Sequence, residues 1–130
     1  MHRVFLDANV LFSAAYREGA GLLNLWKLAD VELVTSGYAA EEARRNLDTQ
    51  DRRARLERLL AAVAIVAEAP STMLPTPVLL PNKDEPILRA AIATGATHLL
   101  TGDLRDFGRL LGRRIGGVLV QTPSEFLRSR

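Results

Sequence analysis

The sequence predicts a single α/β domain over residues 1–130, with a central parallel sheet flanked by helices on both faces. The chain has 130 residues, of which 48% are hydrophobic and 25% charged, as is typical of one globular domain with a substantial core. Short apolar strand patterns alternate along it with amphipathic helix patterns, as they do where helices connect parallel strands. Since no internal repeat or flexible linker divides the chain, we expect one domain.

The first half of the chain begins with a buried strand pattern and continues through amphipathic helix patterns. The predicted order is strand 3–6, helix 10–18, helix 22–29, strand 31–35, helix 37–49, helix 50–63 and strand 64–66. The helix over 50–63 has the clearest pattern, because its apolar residues repeat at the spacing of one helix face. The glycine-containing break at 19–21 separates the first two helices.

The second half contains an irregular segment followed by a regular alternation of helices and strands. Four prolines between positions 70 and 81 forbid regular helix there, so we expect a loop. The predicted order after it is helix 84–94, strand 97–101, helix 104–111, strand 118–121 and helix 123–127. Gly95 supplies the expected end of the helix that Asp84 begins.

Composition limits both the location of the protein and the kinds of site it can hold. No apolar run approaches the ~18 residues of a membrane span, and Asp7 interrupts the first apolar segment, which argues against a signal peptide. We therefore expect a cytoplasmic protein with no membrane contact. The chain has no cysteine and two histidines, His2 and His98, which excludes disulfides and thiolate metal sites. A net charge of +2 permits a polyanionic partner without indicating one.

Three aspartates stand at the ends of predicted elements. Asp7 directly follows the first strand, Asp103 closely follows the strand over 97–101, and Asp84 begins a helix. Ligands of open parallel sheets bind beyond the carboxyl ends of the strands, so we expect these side chains to face one rim of the sheet. Each aspartate also stands where a helix N-cap is expected, and Asp103 and Asp106 have capping-box spacing. Capping therefore stays an alternative for each acid taken singly.

Helical phase separates two neighbouring glutamates in the helix over 37–49. Glu41 shares the outer face with Arg44, three residues later, as an ordinary solvated ion pair. Glu42 lies beside the apolar face, four residues before Asn46, where a side chain can reach into a cleft. We therefore expect Glu42 to join the aspartates, and an ordinary helix-surface acid is the alternative.

Four converging carboxylates require a cation or extra protons. Two like charges about 4 Å apart at an effective dielectric near 20 repel each other by roughly 4 kcal/mol. Because cysteine is absent and neither histidine is well placed, oxygen ligation selects Mg²⁺ or Mn²⁺, which keep several bound waters. A cation of this kind in an acidic pocket suits hydrolysis of phosphodiesters by metal-activated water. The sequence thus favours a phosphoryl substrate.

The acids lie within four ordered sequence segments. These are VFLDANVL at 4–11, Ser36 followed by Glu42 and Leu47, DEPIL at 84–88 leading into AAIATGA at 90–96, and LLTGD at 99–103. Together they resemble the PIN domain, a family of Mg²⁺- or Mn²⁺-dependent ribonucleases, over nearly the whole chain. The segment TPSEFL at 122–127 resembles the usual ending of the bacterial branch that holds toxins of toxin–antitoxin pairs. Ala8 departs from the pattern, since the family often has threonine or serine there.

The resemblance implies a Mg²⁺- or Mn²⁺-dependent ribonuclease that hydrolyses RNA with metal-activated water. It makes the four acids both the catalytic residues and the metal ligands: Asp7, Glu42, Asp84 and Asp103. Three further polar residues support them, namely Asn9, Thr101 and Asp106, the last as a candidate fifth acid. The resemblance also implies a parallel sheet between helices, a toxin role, a cognate antitoxin as partner and a homodimer.

Arginines near the acids are candidates for holding the RNA backbone, because an acidic pocket by itself repels a polyanion. They are Arg52, Arg55, Arg58, Arg105 and Arg109. The first three repeat on one helix face, but acids at positions 48, 51 and 57 are interspersed, so a solvated face is the alternative. We find no aromatic residues interleaved with basic ones in the manner of single-stranded RNA platforms.

Two other functional classes stay open. A phosphoacceptor signalling domain also gathers acids and Mg²⁺ at the strand ends of a parallel sheet, but it needs a lysine late in the chain. The lysines of this chain are Lys27 and Lys83, which disfavours that class. A catalytically inactive PIN-like adaptor for RNA or protein would lack one or more of the four acids, and all four are present.

Overall fold

The computed structural model describes residues 2–67 and 84–130, so the proline-rich loop expected over 70–81 lies outside the described residues. Within them, six strands form one sheet in the order β3-β2-β1-β4-β6-β5. The strands are β1 His2–Leu6, β2 Val31–Ser36, β3 Ala64–Val66, β4 His98–Leu100, β5 Arg114–Ile115 and β6 Val118–Gln121. Neighbours pair in parallel, except that β5 runs antiparallel to β6. The expected α/β class is confirmed.

Helices cover both faces of this sheet. Among the described residues they are α1 Ala8–Tyr16, α2 Gly37–Asn46, α3 Gln50–Leu60, α4 Glu85–Ala93, α5 Leu104–Phe107 and α6 Pro123–Arg128, with 3-10 helices at Gly21–Lys27 and Gly108–Leu110. Helices α1, α2, α3 and α6 pack on one face with Leu6 and Leu100, whereas α4 and α5 pack on the other with Phe5 and Leu99. Burial on both faces explains why consecutive residues of the central strands are apolar, as in Val4–Leu6 and Leu99–Leu100. In the part of the chain that the structure describes, no helix is long and apolar enough to span a membrane.

The register of the central strands fixes where the residues after them emerge. Leu6, the last residue of β1, lies opposite Leu100, the last residue of β4, and Leu100 lies opposite Gln121 at the end of β6. The backbone N–H of Asp7 extends this pairing by donating to the Leu100 carbonyl at 3.1 Å. The residues that follow β1 and β4 therefore emerge side by side at one edge of the sheet.

Three segments differ from the sequence prediction. The segment expected as a helix over 22–29 is a 3-10 helix, and the helix expected over 104–111 divides at Gly108 into α5 and a 3-10 turn. Strand β5 was not predicted, because two residues are too few to show an apolar pattern. Gly116 and Gly117 both have positive φ and join β5 to β6 in a tight hairpin turn.

Several helix ends differ from the expected positions by a turn or less, and α1, α2 and α3 each end two or three residues early. α1 begins at Ala8, two residues earlier than expected, because the Asp7 side chain accepts from the Ala8 N–H and begins the helix there. α2 ends at Asn46, after which Leu47 is extended and the chain turns into the next helix. There the Thr49 side chain accepts from the Arg52 N–H and caps α3. Capping side chains that lie just outside the apolar patterns therefore set where α1 and α3 begin.

Candidate functional site

A cavity of about 400 Å³ opens at the sheet edge where β1 and β4 end. Residues from four separate segments line it: Asp7, Ala8, Asn9 and Phe12; Glu42, Ala43 and Asn46; Asp84; and Asp103. The four acids that the sequence analysis selected are therefore gathered around one cavity. They reach it from the end of β1, from α2, from the start of α4 and from the loop after β4.

Asp7 is the most buried of these acids, with 3% of its surface exposed. Its Oδ1 accepts from the Ala8 N–H at 2.7 Å, and its Oδ2 accepts from the Thr101 hydroxyl at 2.8 Å and from Asn9 Nδ2 at 3.2 Å. The pKa of Asp7 is raised from 3.8 to about 6, mainly because the group is buried and in part because Glu42 and Asp103 are negatively charged, while the hydrogen bonds from Thr101 and Ala8 act to lower it. Ionised Asp7 is therefore held among like charges.

A small polar network fixes Asp7 relative to the loop after β4. Besides donating to Asp7, the Thr101 hydroxyl accepts from the Asp103 N–H at 3.0 Å and from Asn9 Nδ2 at 3.3 Å. Asn9 Oδ1 accepts from the Gly102 N–H at 2.8 Å. Asn9 and Thr101 thus connect the ends of β1 and β4 by hydrogen bonds and hold the Asp7 carboxylate in position. The sequence analysis named both residues as supporting groups.

Asp106, expected as a supporting residue and candidate fifth acid, forms an acidic cluster with Asp84 and Asp103. One carboxylate oxygen from each of Asp84, Asp103 and Asp106 lies within 4.8 Å of the other two. Asp84 is buried, whereas Asp103 and Asp106 are partly exposed. Three carboxylate oxygens at this spacing offer the hard donors that Mg²⁺ and Mn²⁺ prefer. The residues present therefore fit a divalent cation, with Asp7 and Glu42 lining the adjoining cavity.

Asp7 and Asp103 each cap a helix and also line the cavity. Asp7 caps α1, and Asp103 caps α5 by accepting from the Asp106 N–H at 2.9 Å. The Asp84 side chain makes no capping hydrogen bond with the described residues of α4. Capping alone therefore does not explain why all three carboxylates face one cavity.

The two neighbouring glutamates of α2 take the positions that helical phase predicts. Glu42 lines the cavity, together with Asn46 one turn later, whose Nδ2 donates to the Glu42 carbonyl at 2.9 Å. Glu41 lies on the outer face with its Oε2 3.4 Å from Arg44 Nη1, and Arg44 Nε lies 2.7 Å from Glu57 Oε2. The predicted orientation of this helix is confirmed.

Two of the candidate arginines bind the carboxyl end of α1. Arg52 Nε donates to the Tyr16 carbonyl at 2.8 Å, and Arg52 Nη1 lies 2.7 Å from Asp48 Oδ1. Arg55 donates to the carbonyls of Ala15 and Tyr16 at 3.0 and 3.1 Å. These bonds satisfy carbonyl groups that the helix itself leaves without partners. They give both arginines structural roles, and RNA contact by this pair stays a prediction.

The other candidate arginines lie on the surface. Arg58 is exposed on α3, Arg105 is exposed on α5, and Arg109 is exposed on the 3-10 helix after α5. Arg105 follows Asp103 by two residues, which brings its backbone close to the acidic cluster. None of these three arginines lines the cavity itself, so their positive charge lies outside it.

Phe12 is a cavity residue that the sequence analysis did not select. It lies on α1 three residues after Asn9, and residues at this spacing share a side of a helix. Asn9 belongs to the sequence segment that resembles a known family. Its spacing of three residues from Phe12 is the signal by which the sequence could have indicated Phe12. The ring is the largest apolar side chain in the lining of the cavity.

Solved structures of other proteins share this fold. VapBC2 from Rickettsia felis, bound to a DNA fragment from its promoter, has a TM-score of 0.70 and 18% identity over 92% of this chain and 98% of that chain. VapC20 from Mycobacterium tuberculosis, a toxin that cleaves the sarcin–ricin loop, has a TM-score of 0.55 and 14% identity over 77% and 91%. FitAB bound to the IR36 DNA fragment has a TM-score of 0.55 and 17% identity over 92% and 94%.

The sequence itself identifies the family. The similarities to solved structures are below 20% identity and show the fold alone. No curated protein sequence matches the chain. The PIN domain family matches residues 3–105, a span that includes Asp7, Glu42, Asp84 and Asp103. The chain therefore belongs to the PIN domain family.

Proposed function

We propose that this protein is a Mg²⁺- or Mn²⁺-dependent ribonuclease that acts as the toxin of a toxin–antitoxin pair. The observation that carries the proposal is the cavity at the sheet edge, where Asp7, Glu42, Asp84 and Asp103 converge from separate elements. The raised pKa of Asp7, about 6, indicates buried and crowded negative charge of the kind found at functional sites. Membership of the PIN domain family supports nuclease chemistry at this cavity.

We assign the cation to the four acids of the cavity together with Asp106. The oxygens of Asp84, Asp103 and Asp106 lie within 4.8 Å of one another, and Asp7 and Glu42 line the adjoining walls. When bound, such a cation orients a phosphodiester, neutralises its developing charge and activates water for hydrolysis. The donor set contains oxygen atoms alone, which favours Mg²⁺ or Mn²⁺ over softer metals.

The chain's own residues hold the carboxylates in place and control their protons. Thr101 Oγ1 and Asn9 Nδ2 both donate to Asp7 Oδ2, so they fix the carboxylate and favour its ionised form. Because the pKa of Asp7 is about 6, part of the population is protonated just below neutral pH and releases that proton when a cation binds. Glu42 is less buried than Asp7, and we assign it to accept the proton of the attacking water.

RNA binding requires positive charge outside the acidic cavity. Arg105 and Arg109 are exposed and follow Asp103 closely along the chain, where their charge offsets the repulsion between the acids and the phosphates. Arg58 is a further exposed candidate on α3. Arg52 and Arg55 are weaker candidates, because hydrogen bonds hold their guanidinium groups against α1.

The similar solved structures support partners for this chain. VapBC2 and FitAB support a cognate antitoxin, and VapC20, which is described as cleaving the sarcin–ricin loop, supports RNA as the substrate. We also propose a homodimer, which the sequence resemblance implies, and a cytoplasmic location, which follows from the expectation of no signal peptide or membrane span.

A cleavage assay tests the proposed activity. Purified protein is incubated with a mixed RNA pool in Mg²⁺, Mn²⁺ or EDTA, and the product ends are mapped. We expect cleavage with either cation and none in EDTA or by Asp103→Asn, whereas the matched variant Glu41→Gln keeps wild-type activity. Cleavage that persists in EDTA or in Asp103→Asn contradicts the proposal. RNA binding without cleavage assigns the chain to the inactive adaptor class.

A further inference from the structure

Two aromatic rings and an arginine form a row on the surface beside the acidic cavity. Phe12 and Tyr16 lie one turn apart on α1, with ring centroids 5.3 Å apart and ring planes at 40°. The guanidinium carbon of Arg52 lies 3.8 Å from the centroid of the Tyr16 ring. Phe12, Tyr16 and Arg52 are here named the aromatic row. The sequence did not reveal it, because Arg52 is distant from both rings along the chain.

The aromatic row begins at the acidic cavity and continues outward along α1. Phe12 lines that cavity and also a neighbouring cavity of about 260 Å³, whose walls include Ser13, Tyr16 and Leu22. Tyr16 is 41% exposed, while Phe12 is partly buried and packs against the core. Phe12 therefore offers a partly exposed ring at the acidic cavity, and Tyr16 continues this aromatic surface outward.

Hydrogen bonds order the outer end of the aromatic row. Arg52 Nε donates to the Tyr16 carbonyl at 2.8 Å, and Arg52 Nη1 lies 2.7 Å from Asp48 Oδ1, so the guanidinium group is held beside the ring. A cation over an aromatic face is itself a favourable contact. A surface that is ordered before binding loses little conformational entropy when a ligand arrives.

We propose that the aromatic row binds a nucleobase of the substrate RNA next to the cleaved phosphodiester, with the base stacked on Phe12 and extending towards Tyr16. The inference rests on the proposed function, because a phosphate at the acids brings an adjacent base within reach of Phe12. Every nucleobase has a π face, and aromatic side chains together with arginine are the usual stacking partners of unpaired bases. The RNA at this position is therefore single-stranded, and the site accepts more than one base.

Matched substitutions on α1 test this surface through the kinetics of cleavage. Phe12→Leu and Tyr16→Leu remove a ring but keep an apolar side chain, whereas Phe12→Tyr keeps the ring. The control is Leu104→Ala, which changes an apolar residue on α5 that is 61% exposed. On a short single-stranded RNA we expect Phe12→Leu to raise KM by about 10-fold with kcat unchanged, and Tyr16→Leu to raise it less. Phe12→Tyr should raise KM much less than Phe12→Leu does, because it keeps a ring, and Leu104→Ala should match the wild type.

An abasic substrate separates stacking from a defect in folding. The same RNA is prepared with an abasic nucleotide on either side of the cleaved bond. At one of the two positions we expect wild type to lose about 10-fold in kcat/KM, and Phe12→Leu to lose nothing further. If Phe12→Leu falls equally on natural and abasic RNA, the effect is structural and the inference is overturned. Unchanged kinetics in both ring variants also overturn it and leave this face to a protein partner.

A binding measurement without cleavage distinguishes failure of this inference from failure of the proposed function. RNA carrying 2-aminopurine, whose fluorescence falls when it stacks, is titrated with wild type and with Phe12→Leu in EDTA at low salt. We expect quenching by wild type and much less by Phe12→Leu. Quenching without any cleavage in Mg²⁺ or Mn²⁺ would refute the nuclease and keep the stacking surface. Cleavage without quenching would refute the stacking surface and keep the nuclease.

Discussion

The acidic cavity and the contact between α1 and α3 both gather charged side chains, but they treat the charge in opposite ways. At the α1–α3 contact, Arg52 pairs with Asp48 at 2.7 Å, and Arg55 donates to carbonyls at the end of α1. At the cavity, burial and neighbouring acids raise the pKa of Asp7 to about 6. Charge that is matched by partners stabilises the fold, whereas like charges held together oppose it and indicate a binding role.

The largest effect is expected when a cavity acid loses its charge. Asp7→Asn should lower RNA cleavage by more than about 100-fold, because it removes a cation ligand from the site. Asp48→Asn neutralises an acid of the α1–α3 contact instead and should leave kcat at the wild-type value, because Asp48 touches the substrate-binding surface only through Arg52. Rates on one mapped RNA substrate compare the two variants. Similar losses in both would mean that the two regions do not differ in function.

A smaller effect concerns the stability of the cation-free protein. Since the pKa of Asp7 is about 6 in the folded state and 3.8 ordinarily, the folded state binds this proton more tightly than the unfolded chain does. Stability should therefore fall as the pH rises from 3.8 to about 6 and then level off. The loss from this one group is at most about 3 kcal/mol.

Asp7→Asn should remove most of this pH dependence. In EDTA at pH 7.5 the variant should melt no lower than wild type, because the loss of a crowded charge offsets the altered hydrogen bonds to Thr101 and Asn9. Thermal and urea unfolding of both proteins at pH 5 and pH 7.5 measure the effect. A variant that melts several degrees lower at pH 7.5 would favour the helix cap as the main role of Asp7.

The smallest effects separate two arginines. Arg55→Ala should lower the free energy of unfolding by about 1 kcal/mol, because the carbonyls at the end of α1 lose hydrogen bonds. RNA affinity should not change. Arg109→Ala should leave stability unchanged and reduce the slope of log affinity against log salt by about 0.7. Urea unfolding and RNA binding across a salt series, with Asp103→Asn as the background, test both. If Arg55→Ala reduced the salt slope and Arg109→Ala did not, the contact with the RNA backbone would be assigned to α3.

The fold was predictable where apolar patterns are long. In α3, Leu56 and Leu60 are buried as their spacing requires, and the second half of β1 matches the apolar run Val4–Leu6. The pattern failed where elements are short. Strand β5 has two residues, and only Gly116 and Gly117, which form its turn, point to it in the sequence.

The site was predictable where local rules place a residue. Asp7 and Asp103 follow strand ends, and helical phase selects Glu42 over Glu41. Two other features depend on tertiary packing, which no local pattern encodes. One is the approach of Asp106 to the start of α4, and the other is the stacking of Arg52 on a ring of α1.

Calorimetric titration with Mn²⁺ tests most directly the central claim that the cavity acids bind a cation together. Wild type and Glu41→Gln should bind Mn²⁺ equally well, and Glu42→Gln should bind about 10-fold more weakly. Near pH 6, titrations in two buffers of different ionisation enthalpy should also show protons released by Asp7, whose pKa is about 6. Absence of binding by wild type, or equal losses in the two glutamine variants, would contradict the claim.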